Sequence, residues 1–206
     1  MAETYYQQLK RDIRIIEGLK ACINCGTCTA VCPAAQFYPY DPRLIATTVE
    51  SGDEAKIEEL LKSDTIWYCG ECLSCKTRCP RGNTPGYIVQ ALRNLSIDSG
   101  LYAFSEKGRQ QIIVKRTVGE NILNHGYCVY LDEVTLEEHP EQGPIWEWYR
   151  SHASSILKRL GANYKGDGPG TMRNIARQDL DELRQIFKET GATERFENLE
   201  RKHDER

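Results

Sequence analysis

Eight cysteines of this 206-residue chain fall into two copies of one spacing, Cys22-x2-Cys25-x2-Cys28-x3-Cys32-Pro33 and Cys69-x2-Cys72-x2-Cys75-x3-Cys79-Pro80. Every cysteine of the second copy lies 47 positions after its counterpart. Such a repeat duplicates a binding site, so any fold the chain adopts has to seat both loops. Two residues between cysteines let a tight loop aim successive thiolates at three corners of one iron–sulfur cube, with the loop's N–H groups pointing at the inorganic sulfides. The fourth cysteine, three residues further on and followed by proline, ligates the neighbouring cube in two-cluster proteins. The spacing therefore predicts two [4Fe–4S] clusters, the first held by Cys22, Cys25, Cys28 and Cys79 and the second by Cys69, Cys72, Cys75 and Cys32. Exchanged ligands make the clusters neighbours and tie the two halves of the domain together. No catalytic residue is expected in the chain.

The rival for eight thiols is a pair of structural zinc sites, which would make the chain a non-redox interaction module. Zinc usually draws two ligands from each of two well-separated Cys-x2-Cys knuckles, whereas here three closely spaced cysteines and a Cys-Pro occur twice, which favours iron and sulfur. The start, Met1 to Tyr6, lacks the basic and apolar regions of a secretion signal, so the cytoplasm is the expected compartment. In a reducing compartment nine cysteines do not form a disulfide framework. A formal net charge of −3 builds no basic surface for nucleic acid. The stretch Ala21 to Tyr40 has no charge, but its prolines, Gly26 and four cysteines exclude a membrane span.

Around the cysteines the pattern is helical. Thr4 caps a segment with Tyr6, Leu9, Ile13 and Ile16 at helical spacing, ending at Gly18. Asp41-Pro42 opens a helix with Leu44, Ile45, Thr48 and Val49 on one face, and Asp53 opens another with Ile57, Leu60 and Leu61 inside. Thr84-Pro85 begins a third, with Ile88, Ala91, Leu92 and Leu95 facing inward. The 36 residues between Cys32 and Cys69 thus read as helices and not as the β-ribbon of the smallest ferredoxins. The fold class expected is mainly α: an α-helical ferredoxin domain over residues 1–104, and a mainly helical C-terminal extension over 105–206 serving as a subunit interface. In the extension, residues from about Ser105 read as helix. Gly143-Pro144 opens a helix with Trp148, Tyr149, His152, Ile156, Leu157 and Leu160 on one side. Residues 166–170 form a turn, Gln178 to Thr190 an amphipathic helix, and Glu200 to Arg206 a frayed end.

Three further features bear on chemistry. Lys76, Arg78 and Arg81 crowd the second repeat while the first has no charge, which reads either as a source of unequal cluster potentials, since a cation favours the reduced cluster, or equally as a docking patch or solvated surface. Cys128, in the alternating run Gly126 to Tyr130, reads as a buried or half-buried structural thiol in an extended segment. The four histidines show no ligand spacing, and the glycine run at 166–170 lacks the pattern of a nucleotide loop.

The contexts Cys25-Gly26-Thr27-Cys28, Asp41-Pro42-Arg43, Trp67-Tyr68-Cys69 and Arg78-Cys79-Pro80-Arg81-Gly82 resemble the C subunit of heterodisulfide reductase and its homologues, over roughly residues 15–100. The helix from Asp179 to Phe187, with Gly191 and Phe196, is similar to the family's C-terminal tail. The resemblance implies an electron-transfer component within a hetero-oligomer. Its partner would be a B subunit whose Cys-Cys-Gly motifs hold the cluster that acts on disulfide or other sulfur substrates, together with a flavin-containing A subunit. This chain has no adjacent Cys-Cys pair and so lacks the B subunit's chemistry. The alternative is the iron–sulfur subunit of a succinate, glycerol-3-phosphate or glycolate dehydrogenase. Those usually add a plant-type cysteine site or a Cys-Cys-Gly region, and both are missing here.

Overall fold

The computed structural model describes residues 3–166, 168 and 170–204, the last five as backbone only. The chain divides into two compact units, one of residues up to 109 together with 199–204, the other of residues 110–198.

The first unit is built of short helices, each started by a side chain suited to the purpose. Thr4 makes a reciprocal capping box with Gln7 and starts α1 (Tyr5–Arg11). Asp12 then ends that helix and caps the next, α2 (Ile13–Gly18), accepting from the Arg14 amide at 2.8 Å and pairing with its guanidinium at 2.5 Å. The single helix expected from Thr4 to Gly18 is therefore two. The break rotates the second: Ile15 and Gly18 are buried, while Ile13 and Ile16, expected inside, are exposed.

After the first cysteine loop and its one-turn helix α3 (Thr27–Ala30), Asp41 caps α4 (Pro42–Ser51), accepting from the amides of Arg43 at 2.9 Å and Leu44 at 3.1 Å. Asp53 caps α5 (Glu54–Lys62). The central helix is α6 (Pro85–Asp98), with Pro85 in the first turn, where its missing N–H costs nothing. Ile88, Val89, Ala91, Leu92 and Leu95 of α6 are buried against α1, α2, α4 and α5, which contribute Leu9, Ile15, Ile45, Val49, Ile57 and Leu61. Each such side chain is worth about 1.5–3 kcal/mol, so this apolar stack, more than any single loop contact, holds the cysteine loops in place. Leu44, expected on the inner face of α4, is exposed, and Ala46 takes its place.

The second unit takes most of α7 (Glu106–His125), all of α8 (Trp146–Arg159) and α9 (Arg177–Glu189), and the start of α10 (Ala192–Asp204). Its core is partly polar. The buried His139 bonds Thr117 Oγ1 through Nε2 at 2.8 Å and Glu141 through Nδ1 at 2.9 Å, and Val134 and Ala153 of the same unit are buried. On α8 the inner residue is Ala153; Trp148 and Leu160, on the side that reads as packing or as a surface for a partner subunit, are exposed, and Trp148 stacks on His152. Gly126 to Tyr130 carries no strand pairing, and Cys128 is exposed, which overturns the buried-thiol expectation. Of the turn expected at 166–170, Asp167 and Pro169 lie outside the described residues. Glu200 to Asp204, expected to fray, continue α10; residues 205 and 206 lie outside the described residues.

The architecture is thus mainly helical, as the sequence leads one to expect, and among the described residues no strand is formed beyond an isolated bridge between Asn163 and Thr171. Among the described residues no helix is long and apolar enough to cross a membrane.

Candidate metal centre

The two cysteine loops repeat in backbone as well as in sequence. Asn24 and Glu71, the equivalent residues just before the second cysteine of each loop, have φ of 58° and 53°. Gly26 and Leu73, just after it, have φ of 78° and 57°. Alternating left-handed residues curl each loop around its cysteines, and such conformations are disfavoured unless the surroundings hold them. The surroundings do. The guanidinium of Arg43, from α4, donates to Asn24 Oδ1 at 2.5 Å and to Asp41 Oδ2 at 2.8 Å. In the second loop Arg93, from α6, donates to Glu71 Oε1 at 2.5 Å and to the carbonyls of Cys69 and Ile66, both at 2.7 Å, and its guanidinium lies over the Trp67 ring. Gln90, the repeat counterpart of Arg43, donates to Glu71 Oε2 at 2.9 Å.

The thiols follow the same symmetry. Cys25 and Cys72 are exposed at the loop tips, and the other six are half-buried. The Thr27 hydroxyl lies 3.3 Å from Cys25 Sγ and the Ser74 hydroxyl 3.4 Å from Cys72 Sγ. These hydroxyls hold both tip thiols below the usual cysteine range. Burial pushes Cys28 and Cys75 above it.

The cavity at the first loop is lined by Cys22, Cys25, Cys28 and Cys79, the last from the second repeat, with Arg43 and Arg81 at its wall. At the second loop, Cys75 is close enough to Cys69 and Cys32 to feel their charge, and the buried Tyr40 is close enough to the same two thiols to feel theirs. Cys28 in turn feels Cys75, so the two sites adjoin. Cys72 is held at its loop tip by Ser74. The cations assigned by sequence to the second repeat are dispersed: Arg81 faces the first cavity, Lys76 sits on the Tyr87 ring, and Arg78 donates to the Ser74 carbonyl.

Among the described residues no three His, Cys, Asp or Glu side chains converge as around a single ion.

Comparison with known proteins agrees. The family described as the 4Fe-4S dicluster domain matches residues 18–83, which span both loops. The C subunit of the ferredoxin:CoB-CoM heterodisulfide reductase of Methanosarcina acetivorans is 31% identical over 195 residues, covering 94% of this chain and 71% of the relative. The chain belongs to the family of heterodisulfide reductase C subunits. The C subunit of the H(2):CoB-CoM heterodisulfide,ferredoxin reductase of Methanothermobacter marburgensis is likewise 31% identical, covering 85% of this chain and 76% of its own. An iron–sulfur C subunit of the CoB–CoM heterodisulfide reductase of Methanocaldococcus jannaschii matches more locally, at 34% over 49% of this chain and 52% of its own.

As a heterodisulfide reductase C subunit, the chain carries two [4Fe–4S] clusters. The residues present fit them: the ligand atoms are thiols, the Glu71 amide donates to Cys69 Sγ, and the Thr27 and Ser74 hydroxyls lie in hydrogen-bond reach of Cys25 and Cys72. Sequence reasoning misses the residues that hold the loops. The Asp-Pro-Arg context marks Arg43 as part of a motif without giving it a role, and Arg93 looks like a solvated position of α6.

Proposed function

We propose that this chain is the electron relay of a heterodisulfide-reductase-like complex, passing single electrons to or from a B subunit with Cys-Cys-Gly motifs that acts on disulfide or other sulfur substrates. Cys22, Cys25, Cys28 and Cys79 hold one cluster, and Cys69, Cys72, Cys75 and Cys32 the other. When bound, each cluster takes up and returns one electron with little change in geometry. The cavity that gathers three thiols of the first loop with Cys79 of the second carries the reading, because only an exchange of ligands puts the two clusters side by side.

The protein's part is to keep that pair rigid. The arginine brackets on Asn24 and Glu71 and the α6 core fix the loops, so an arriving electron meets thiolates already in place. Residues 1–104 act as the cluster domain. Residues 105–206 act as a subunit interface, to which the exposed Ile145, Trp148, Leu160 and Ile186 are suited. The complex works in the cytoplasm and includes a flavin-containing A subunit.

The test is anaerobic co-expression with a B subunit. The expected result is a complex that co-purifies, in which the dithionite-reduced chain passes its electrons to the B subunit in a stopped-flow mix. A chain that carries zinc, or that reduces no B subunit, ends the proposal.

A further inference from the structure

The peptide that joins Ala21 to Cys22 is held at its two ends by opposite charges. Its N–H donates to the Glu50 carboxylate, at 3.1 Å to Oε1 and 3.2 Å to Oε2, and its carbonyl accepts from Arg81 Nε at 3.4 Å. Glu50 comes from the last turn of α4, where a carboxylate meets the negative end of the helix dipole, so the helix gains nothing from its charge. Arg81 comes from the second repeat and lines the first cavity; the other arginine there, Arg43, is paired with Asp41 at 2.8 Å. The repeat copies neither charge. The buried Ile97 stands 47 positions after Glu50, and Ala34 stands 47 before Arg81.

A negative charge close to a cluster disfavours its extra electron and lowers the midpoint, while a positive charge raises it. The same carboxylate takes the Cys22 amide proton, which is then not available to a sulfur of the cluster, and this acts in the same direction. We infer that Glu50 and Arg81 are an opposed pair of potential-setting residues for the cluster held by Cys22, Cys25, Cys28 and Cys79. Glu50 lowers its midpoint, Arg81 raises it, and each acts on that cluster more than on the other. Both side chains are exposed, so salt screens their effect. The two sites thus differ through charges placed on one peptide of the first loop, one of them supplied by the second repeat.

The inference rests on the ligand assignment above, and the two can fail separately. If the reduced wild-type protein shows no EPR signals from two [4Fe–4S] clusters, or if Cys25→Ser and Cys72→Ser do not each alter a different one, the assignment is wrong before either charge is changed. Glu50→Gln keeps an oxygen that can accept from the Cys22 amide and removes only the charge. With the signals assigned, potentiometry followed by EPR is expected to show a higher midpoint for the first cluster in Glu50→Gln, a lower one in Arg81→Gln, and a value close to the parent in Arg81→Lys. Both shifts should shrink as salt is raised from about 0.01 M to 1 M, whereas a loosened loop would move both variants the same way and ignore salt. Unchanged midpoints, shifts of one sign, or equal shifts in both clusters would overturn the inference. Should Glu50→Gln fail to load its clusters, the Arg81 variants decide alone: no fall with glutamine, or an equal fall with lysine, is again fatal.

Discussion

The amide of Thr84 donates to the carbonyl of Gly18 over 2.7 Å, joining the end of α2, just before the first cysteine loop, to the start of α6, just after the second. Beside it the Lys20 amide donates to the buried Asn83 at 2.5 Å. A Cβ at Gly18 would stand 2.9 Å from Tyr87 Cβ and 3.3 Å from the Thr84 carbonyl. Neither neighbour is a free side-chain end. Gly18→Ala should therefore destabilise by about 1–3 kcal/mol, even though alanine gains about 1 kcal/mol of helix propensity over glycine. Thermal unfolding of the cluster-loaded protein, followed by far-UV dichroism, reads the sign.

Exchanging ligands predicts a crossed phenotype. Cys79→Ser, a change in the second repeat, should deplete the cluster of the first, and Cys32→Ser the cluster of the second. Each variant should retain roughly half the wild-type iron and labile sulfide, with EPR or Mössbauer spectra showing which cluster remains.

Arg93 grips the second loop through two carbonyls and a carboxylate with a side chain only 13% exposed. Arg93→Ala leaves the Cys69 carbonyl and Glu71 without that partner, and a loss of about 3 kcal/mol is expected. Arg93→Lys should recover little of it, because an ammonium cannot span the same fork. The fall in unfolding temperature, measured anaerobically, checks both.

Asp41 gives the protein an acid-sensitive helix cap. Burial works against its charge, but bonds from the Thr29 hydroxyl, the Leu44 amide and Arg43 outweigh it, and the carboxyl is held below its ordinary value. A lowered folded value means stability present above the unfolded pKa of about 4 and lost as pH falls through the folded one. The gap in unfolding temperature between Asp41→Asn and the parent should be full near neutrality and narrow below about pH 4.

Cys128 offers a contrast with the eight loop cysteines. It is exposed and lies in the second unit, so Cys128→Ser should leave iron content, EPR signals and unfolding temperature as they were. Any loss of iron would assign it a part in cluster binding.

Much of this is legible in the chain itself. Helix starts announce themselves because capping is local: Thr4, Asp41-Pro42 and Asp53 cap the helices that the sequence leads one to expect there. What escapes depends on partners that local patterns do not reveal. Asp12 reads as one more polar residue until Arg14 folds back on it, and the break it makes turns Ile13 and Ile16 outward. Arg93 acts on Glu71, 22 positions away, so no local pattern marks it. The α8 face is ambiguous for another reason: spacing alone does not tell a packed side from an exposed one, and in the structure Ala153 is buried while Trp148 is exposed.

The cavity shared by Cys22, Cys25, Cys28 and Cys79 has a consequence for biogenesis. During synthesis the early loop emerges long before Cys79, so on the proposed assignment it would offer a cluster only three of its four thiols. The full ligand set would then wait for residue 79, which would make loading of either cluster an event of the nearly completed domain and couple the delivery of iron to the folding of α6.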